Sequence, residues 1–120
     1  MKRHLTITLQ PDWRTALRAA GRKAQVGEEY QGETLNFETP GTFFGQLTER
    51  RWALIDALLK DGGAVGVREL ARRVGRDVRR VHEDAAALVA LGCIERTETG
   101  ALLCPFAEIH VDMHLGNRAA

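Results

Sequence analysis

Glycine punctuation constrains this chain more than any other feature: Gly62-Gly63, Gly75 and Gly92 cut residues 47–92 into three short amphipathic segments. Thr48 is a suitable N-cap, with Leu47 before it and Trp52 where a hydrophobic staple closes. Trp52, Ile55, Leu58 and Leu59 then form one apolar stripe that ends at Gly62-Gly63. Residues 67–74 predict a short second helix that buries Leu70, Ala71 and Val74 and stops at Gly75. Asp77 caps a third, running to about Leu91, with Val78, Val81, Ala85 and Leu88 inward and Gly92 at its exit. Residues 94–97 and 101–104 flank Glu98-Thr99-Gly100 and read as a β-hairpin.

The flanks carry period-two alternation. Residues 4–9 and 33–38 predict half-buried strands, and Ile109, Val111, Met113 and Leu115 alternate with His110, Asp112 and His114 in a third. Pro11 opens a helical stretch to about Ala24, with Trp13, Ala16, Leu17 and Ala20 at helical spacing, and Gly27 and Gly32 bracket a turn. Pro40-Gly41 and Gly45 predict a break, which places the main boundary between residues 39 and 46. The expected architecture is α+β. Residues 1–45 form a strand-helix-strand dimerisation element, and residues 46–120 hold the three helices, the hairpin and a C-terminal strand. A chain of 120 residues that is 44% apolar folds without metal or disulfide. It lacks the ~18 uninterrupted apolar residues of a membrane span, and its polar start is no signal core. Two cysteines are too few for a disulfide framework, which predicts a cytoplasmic protein.

The formal net charge of +1 conceals blocks of opposite sign. Residues 1–30 sum to +3, 31–63 to −2, 64–82 to +4 and 83–120 to −4. Within 64–82 six arginines face only Glu69 and Asp77. A helix enters the major groove of DNA with its first turn against the base edges, and arginine fits both guanine and phosphate. Turning Val78 and Val81 inward leaves Arg79, Arg80, His82 and Glu83 as base-reading candidates. Arg50, Arg51, Arg68, Arg72, Arg73, Arg76 and Arg96 are the candidates for the phosphate backbone. Arg50 and Arg51 sit in a helix's first turn, where the dipole disfavours cations unless an anion is near. Arg96, with Thr97 or Thr99, stands close to the hairpin tip. The opposing reading is a solvated face whose cations pair with nearby acids.

The runs LTERRWALI (47–55), VRELARRVGRDV (67–78) and VHED (81–84), with the closing IHVD (109–112), resemble a family of small prokaryotic winged helix-turn-helix proteins. These are predicted transcriptional regulators related to the MarR group, some of them similar to antitoxins encoded beside a toxin gene. The resemblance is strongest over residues 47–115. It implies a winged helix-turn-helix that binds double-stranded DNA sequence-specifically as a homodimer, with a cognate toxin as a further partner for the antitoxin-like members. Gly66-Val67 departs from the Ser or Thr that commonly caps the second helix in this family, although glycine is a tolerable cap.

The remaining constellations favour structural roles. His110, Asp112 and His114 share a strand face and could approach a metal, but at about 7 Å spacing they read better as the polar side of an edge strand, so no metal is expected. Cys93 and Cys104 flank the hairpin in apolar surroundings and read as inert thiols, not as a redox pair. The chain has no serine, no G-x-S-x-G and no phosphate-cradling glycine loop, so neither catalysis nor a cofactor is expected. Leu5, Ile7, Leu9, Trp13, Leu17, Ile109, Val111, Met113 and Leu115 are expected to build the dimer interface. The alternative function is a winged module that binds a protein partner through its N-terminal part or its basic face.

Overall fold

The computed structural model describes residues 2–11 and 32–115. It is a mixed α+β structure: β1 (Arg3–Leu9), β2 (Glu33–Phe37), α1 (Pro40–Gln46), α2 (Glu49–Asp61), α3 (Val67–Val74), α4 (Val78–Leu91), β3 (Glu95–Arg96), β4 (Leu102–Leu103) and β5 (Phe106–Asp112). The helix expected over residues 11–24, with Trp13 and Leu17, lies outside the described residues except for Pro11, which sits in a bend. The chain divides into two compact units, one from Met1–Phe44 and Glu108–Ala120, the other Gly45–Ala107.

In the first unit a three-stranded sheet runs in the order β2-β1-β5. The β1–β2 pair is parallel, with Leu5 opposite Glu33, Ile7 opposite Leu35 and Leu9 opposite Phe37. Alternation gives the sheet two chemically distinct faces. Leu5, Ile7 and Phe37 are buried on one. On the other, the Thr8 hydroxyl and Asn36 Oδ1 meet at 2.8 Å, and Asn36 holds the Gln10 backbone N–H at 3.0 Å. Arg3 closes the apolar side with a bidentate grip on Glu33 at 2.9 and 2.7 Å.

Two expectations are corrected here. Residues 40–46 form a seven-residue helix where a break is expected, although the two units do divide between Phe44 and Gly45, inside the expected 39–46 boundary. Thr39 starts it, its hydroxyl accepting from Thr42 N–H at 3.1 Å, and Pro40 supplies the φ that suits a first helical position. Phe43 is buried and meets Phe37 edge-to-face with centroids 5.6 Å apart, which outweighs the helix penalty of Gly41 and Gly45. The C-terminal strand does not belong with the helices of residues 46–120. It pairs with β1, and from Glu108 onward it counts with the first unit. It also begins at Phe106 and ends at Asp112, ahead of the expected Leu115.

The second unit packs α2, α3 and α4 around Leu54, Ile55, Leu58, Leu70, Ala71, Val81, Ala85 and Leu88, all at most 1% exposed. Each large aliphatic side chain there stabilises the fold by about 1.5–3 kcal/mol. The expected caps are in place: Thr48 accepts from Arg51 N–H, Asp77 accepts from Arg80 N–H, and Gly62, Gly75 and Gly92 adopt left-handed conformations at the three exits. Gly66 precedes α3 without a side-chain cap bond. Trp52, Leu59 and Val74 are only half-buried. Val78, expected inward, is 41% exposed, because the packed stripe of α4 begins at Val81 one turn later. The hairpin β3–β4 is antiparallel, and Val65 adds a bridge to Leu102 with hydrogen bonds of 2.7 and 2.8 Å.

Candidate nucleic-acid interface

The arginines of the second unit fall into three groups. The first is withdrawn from solvent. Asp84 lies on α4 between Val81, Ala85 and Leu88, on the packed side of the helix. Arg51 Nε reaches its Oδ1 at 3.1 Å and Arg76 Nη2 its Oδ2 at 2.7 Å. The three side chains, Arg51, Arg76 and Asp84, are only 21%, 17% and 19% exposed. Arg51 also donates to the Gln46 carbonyl at 2.8 Å, while Arg76 Nη1 is buried without a partner. Burial pushes the Asp84 carboxyl up, but the hydrogen bonds from Arg76 and Arg51 outweigh it and hold the group below its ordinary range. Arg51 and Arg76, expected on the phosphate backbone, are instead braces between helices: Arg51 ties α2 to α4, and Arg76 ties the α3–α4 turn to α4.

The second group is exposed but paired. Arg72 holds Glu69 at 2.6 Å one turn earlier on α3. Arg73 reaches back to Asp61 at 2.8 Å and to Glu69 at 3.6 Å. Hydrogen bonding from these arginines lowers both carboxyls. Arg96 Nη1 donates to the Gly100 carbonyl at 3.5 Å across the hairpin tip.

The third group is exposed and open. Among the described residues Arg50, Arg68 and Arg80 make no side-chain hydrogen bond or ion pair, and all three are exposed. Arg79 is 89% exposed and approaches Glu83 only at 3.8 Å. His82 and Glu83 are exposed on the same helix. The beginning of α4 therefore presents Val78, Arg79, Arg80, His82 and Glu83 to solvent. Cations at this end oppose the helix dipole, so an external anion would find both free donors and a favourable field.

Elsewhere the chemistry is quiet. Cys93 is buried and Cys104 half-buried; both thiols are free, and Cys104 Sγ points at the Cys93 carbonyl at 3.6 Å. Burial, with Cys104 nearby, pushes the Cys93 thiol up to about 11, and burial also raises Cys104. Both therefore stay protonated at neutral pH. His114 Nε2 meets Asp112 at 2.8 Å, and no group of three or more His, Cys, Asp or Glu converges among the described residues. Among the same residues, no helix is long and apolar enough to cross a membrane.

Sequence reasoning missed Asp84, although a lone carboxylate between Val81, Ala85 and Leu88 on a packed stripe signals a buried cation partner. It also missed the Val65–Leu102 bridge, which offers only the short Ala64-Val65 run between glycines as a cue.

The class these observations define is an α+β chain whose helical unit carries open guanidinium groups at the beginning of a well-capped helix. Residues 46–111 match the model of the HVO_A0114 family. That match spans more than half of the chain, and the chain belongs to the HVO_A0114 family. No curated protein and no solved structure matches it.

Proposed function

We propose that this chain is a winged helix-turn-helix regulator, without catalytic activity, that binds double-stranded DNA as a two-fold pair. In this reading α3 and α4 are the helix-turn-helix, β3–β4 is the wing, and the first turns of α4 enter the major groove. Arg79, Arg80, His82 and Glu83 face base edges, and Val78 offers an apolar contact of the kind a thymine methyl accepts. Arg50, Arg68, Arg72, Arg73 and Arg96 lie along the phosphates, while Arg51 and Arg76 hold the helices that present them.

The observation that carries the reading is Arg80. It is an exposed guanidinium with no acid partner, one turn from the Asp77 cap of a helix whose opposite side is fully packed. A solvated charge run would be expected to recruit neighbouring carboxylates, as Arg72 and Arg73 do.

The test is a gel shift on the DNA upstream of the chain's own gene at two salt concentrations. With about ten phosphate contacts over two copies, affinity falls on the order of 10⁵-fold between about 50 and 200 mM salt. Absence of any shift at the lower salt overturns the reading. That outcome favours a protein-binding module instead, which would take its partner through the N-terminal part or the basic face; among the described residues an open groove of about 460 Å³ lies beside Arg73, lined by Ala53, Asp56, Ala57, Lys60 and Asp61. A small toxin in the adjacent reading frame would mark the regulator as an antitoxin.

A further inference from the structure

We infer that β5 is a self-pairing edge: it joins β5 of a second copy antiparallel, with the two-fold axis passing through Val111. The inference rests on the two-fold pairing in the reading above and is independent of DNA.

β5 is the last strand in the order β2-β1-β5, and among the described residues no strand pairs with its outer side. It is seven residues long, contains no Pro or Lys, and is exposed at five positions. Native edges are usually kept short, charged with lysine or broken by proline, so a long open edge is a template for another strand. Its faces continue those of the sheet. Glu108 meets His4 at 3.5 Å on the polar face, which puts His110 and Asp112 there and leaves Ile109 and Val111 on the apolar side.

Charge complementarity selects both the occupant and the register. Antiparallel pairing about Val111, with each strand prolonged two residues past its end at Asp112, sets Glu108 opposite the second copy's His114, and His110 opposite its Asp112. On the other face Ile109 meets Met113, and Val111 meets itself. Each acid thus faces an imidazole of the second copy, which joins the pairs His114–Asp112 (2.8 Å) and His4–Glu108 (3.5 Å) already made within each chain, and each apolar residue faces another. Moving the axis to His110 puts Glu108 against Asp112. Moving it to Asp112 puts His110 against His114, and moving it to Ile109 puts Phe106 against Asp112. Cross-strand pairs of this kind set register: a slip to His110 or Asp112 opposes like groups, and a slip to Ile109 keeps only the Glu108–His110 pair while setting Asp112 against Phe106.

The experiment measures mass by size exclusion with light scattering, without DNA, from low to high micromolar concentration. The wild-type chain should weigh twice its 13.3 kDa. His110→Asp and Asp112→His should each raise the dimer dissociation constant about tenfold, and the double swap should return it to within about threefold. The swap also controls for folding, since a rescued dimer is a folded one. Asp112→His discriminates among registers, because it would tighten a dimer centred on His110. A wild-type mass of 13.3 kDa throughout overturns the pairing and leaves DNA binding to the salt titration. A dimer indifferent to the single variants, or not restored by the swap, overturns the register and with it the inference.

Discussion

Arg76 and Arg80 stand four residues apart, on either side of the Asp77 cap, and meet opposite surroundings. Arg76 is 17% exposed and locked at 2.7 Å to Asp84. Arg80 is exposed and touches no acid. The difference does not come from the residue type or from local charge density. It comes from α4: its packed side carries Asp84, which takes Arg76, while the acid on its outer side, Glu83, approaches Arg79 at 3.8 Å and leaves Arg80 unpaired. Arginines that a sequence presents as one basic stretch are thus divided by helix geometry into braces and free donors.

The strongest way to break this comparison is at the brace. Asp84→Asn leaves two largely withdrawn guanidinium groups without their anion and should destabilise the chain by about 1.5–3 kcal/mol. For a domain of this size the melting temperature should fall by roughly 5–15 °C. The effect has a defined pH dependence. Because the Asp84 carboxyl titrates lower in the folded chain than in the unfolded one, the unfolded chain takes up the proton first as the pH drops. Its contribution is complete well above about pH 4, the ordinary aspartate value, and drains away as the pH falls through the folded value. The gap in melting temperature between wild type and Asp84→Asn should therefore be wide at pH 7 and should close on acidification. A gap that widens instead would mean that Asp84 is not the anchor of the two arginines.

At the free donors the expected effect moves from stability to binding. Arg80→Ala should cost about 1–3 kcal/mol in affinity for cognate DNA and relax specificity at the base pair it reads. Its melting temperature should stay with the wild type, because the side chain buries nothing and the Asp77 cap uses the Arg80 backbone, not its guanidinium. Calorimetry and anisotropy on the same protein separate the two. A loss of stability without loss of binding would place Arg80 among the braces.

What the sequence disclosed follows the same division between local and non-local causes. The bounds of α2, α3 and α4 were legible because Thr48, Asp77 and the three exit glycines act on their own helices. The exposed first turn of α4 was legible apart from Val78, whose neighbour stripe starts a turn later than its spacing suggests. α1 was hidden because its two glycines argue against a helix, and the burial of Phe43 against Phe37 that overrides them is a tertiary event. The pairing of β5 with β1 leaves no local mark at all, since strands so distant in sequence choose each other through the sheet's two faces. Arg51 and Arg76 could have been recognised from Asp84, the one acid whose neighbours on α4 are all packed.

The smallest effect lies between the two extremes, at Arg72. It is exposed like Arg80, yet it is engaged by Glu69 one turn earlier on the same helix. Pairs of this kind at a solvated surface contribute little to folding, so Arg72→Gln should leave the melting temperature within measurement error. If Arg72 nevertheless exchanges Glu69 for a phosphate when DNA arrives, the variant should flatten the log–log salt dependence by roughly one unit for each phosphate it no longer neutralises, uniformly across sequences. Glu69→Gln should do the opposite to affinity, because it removes the carboxylate with which a phosphate must compete. A salt slope unchanged by either substitution would assign Arg72 to the solvated face of α3 and remove it from the proposed DNA contacts.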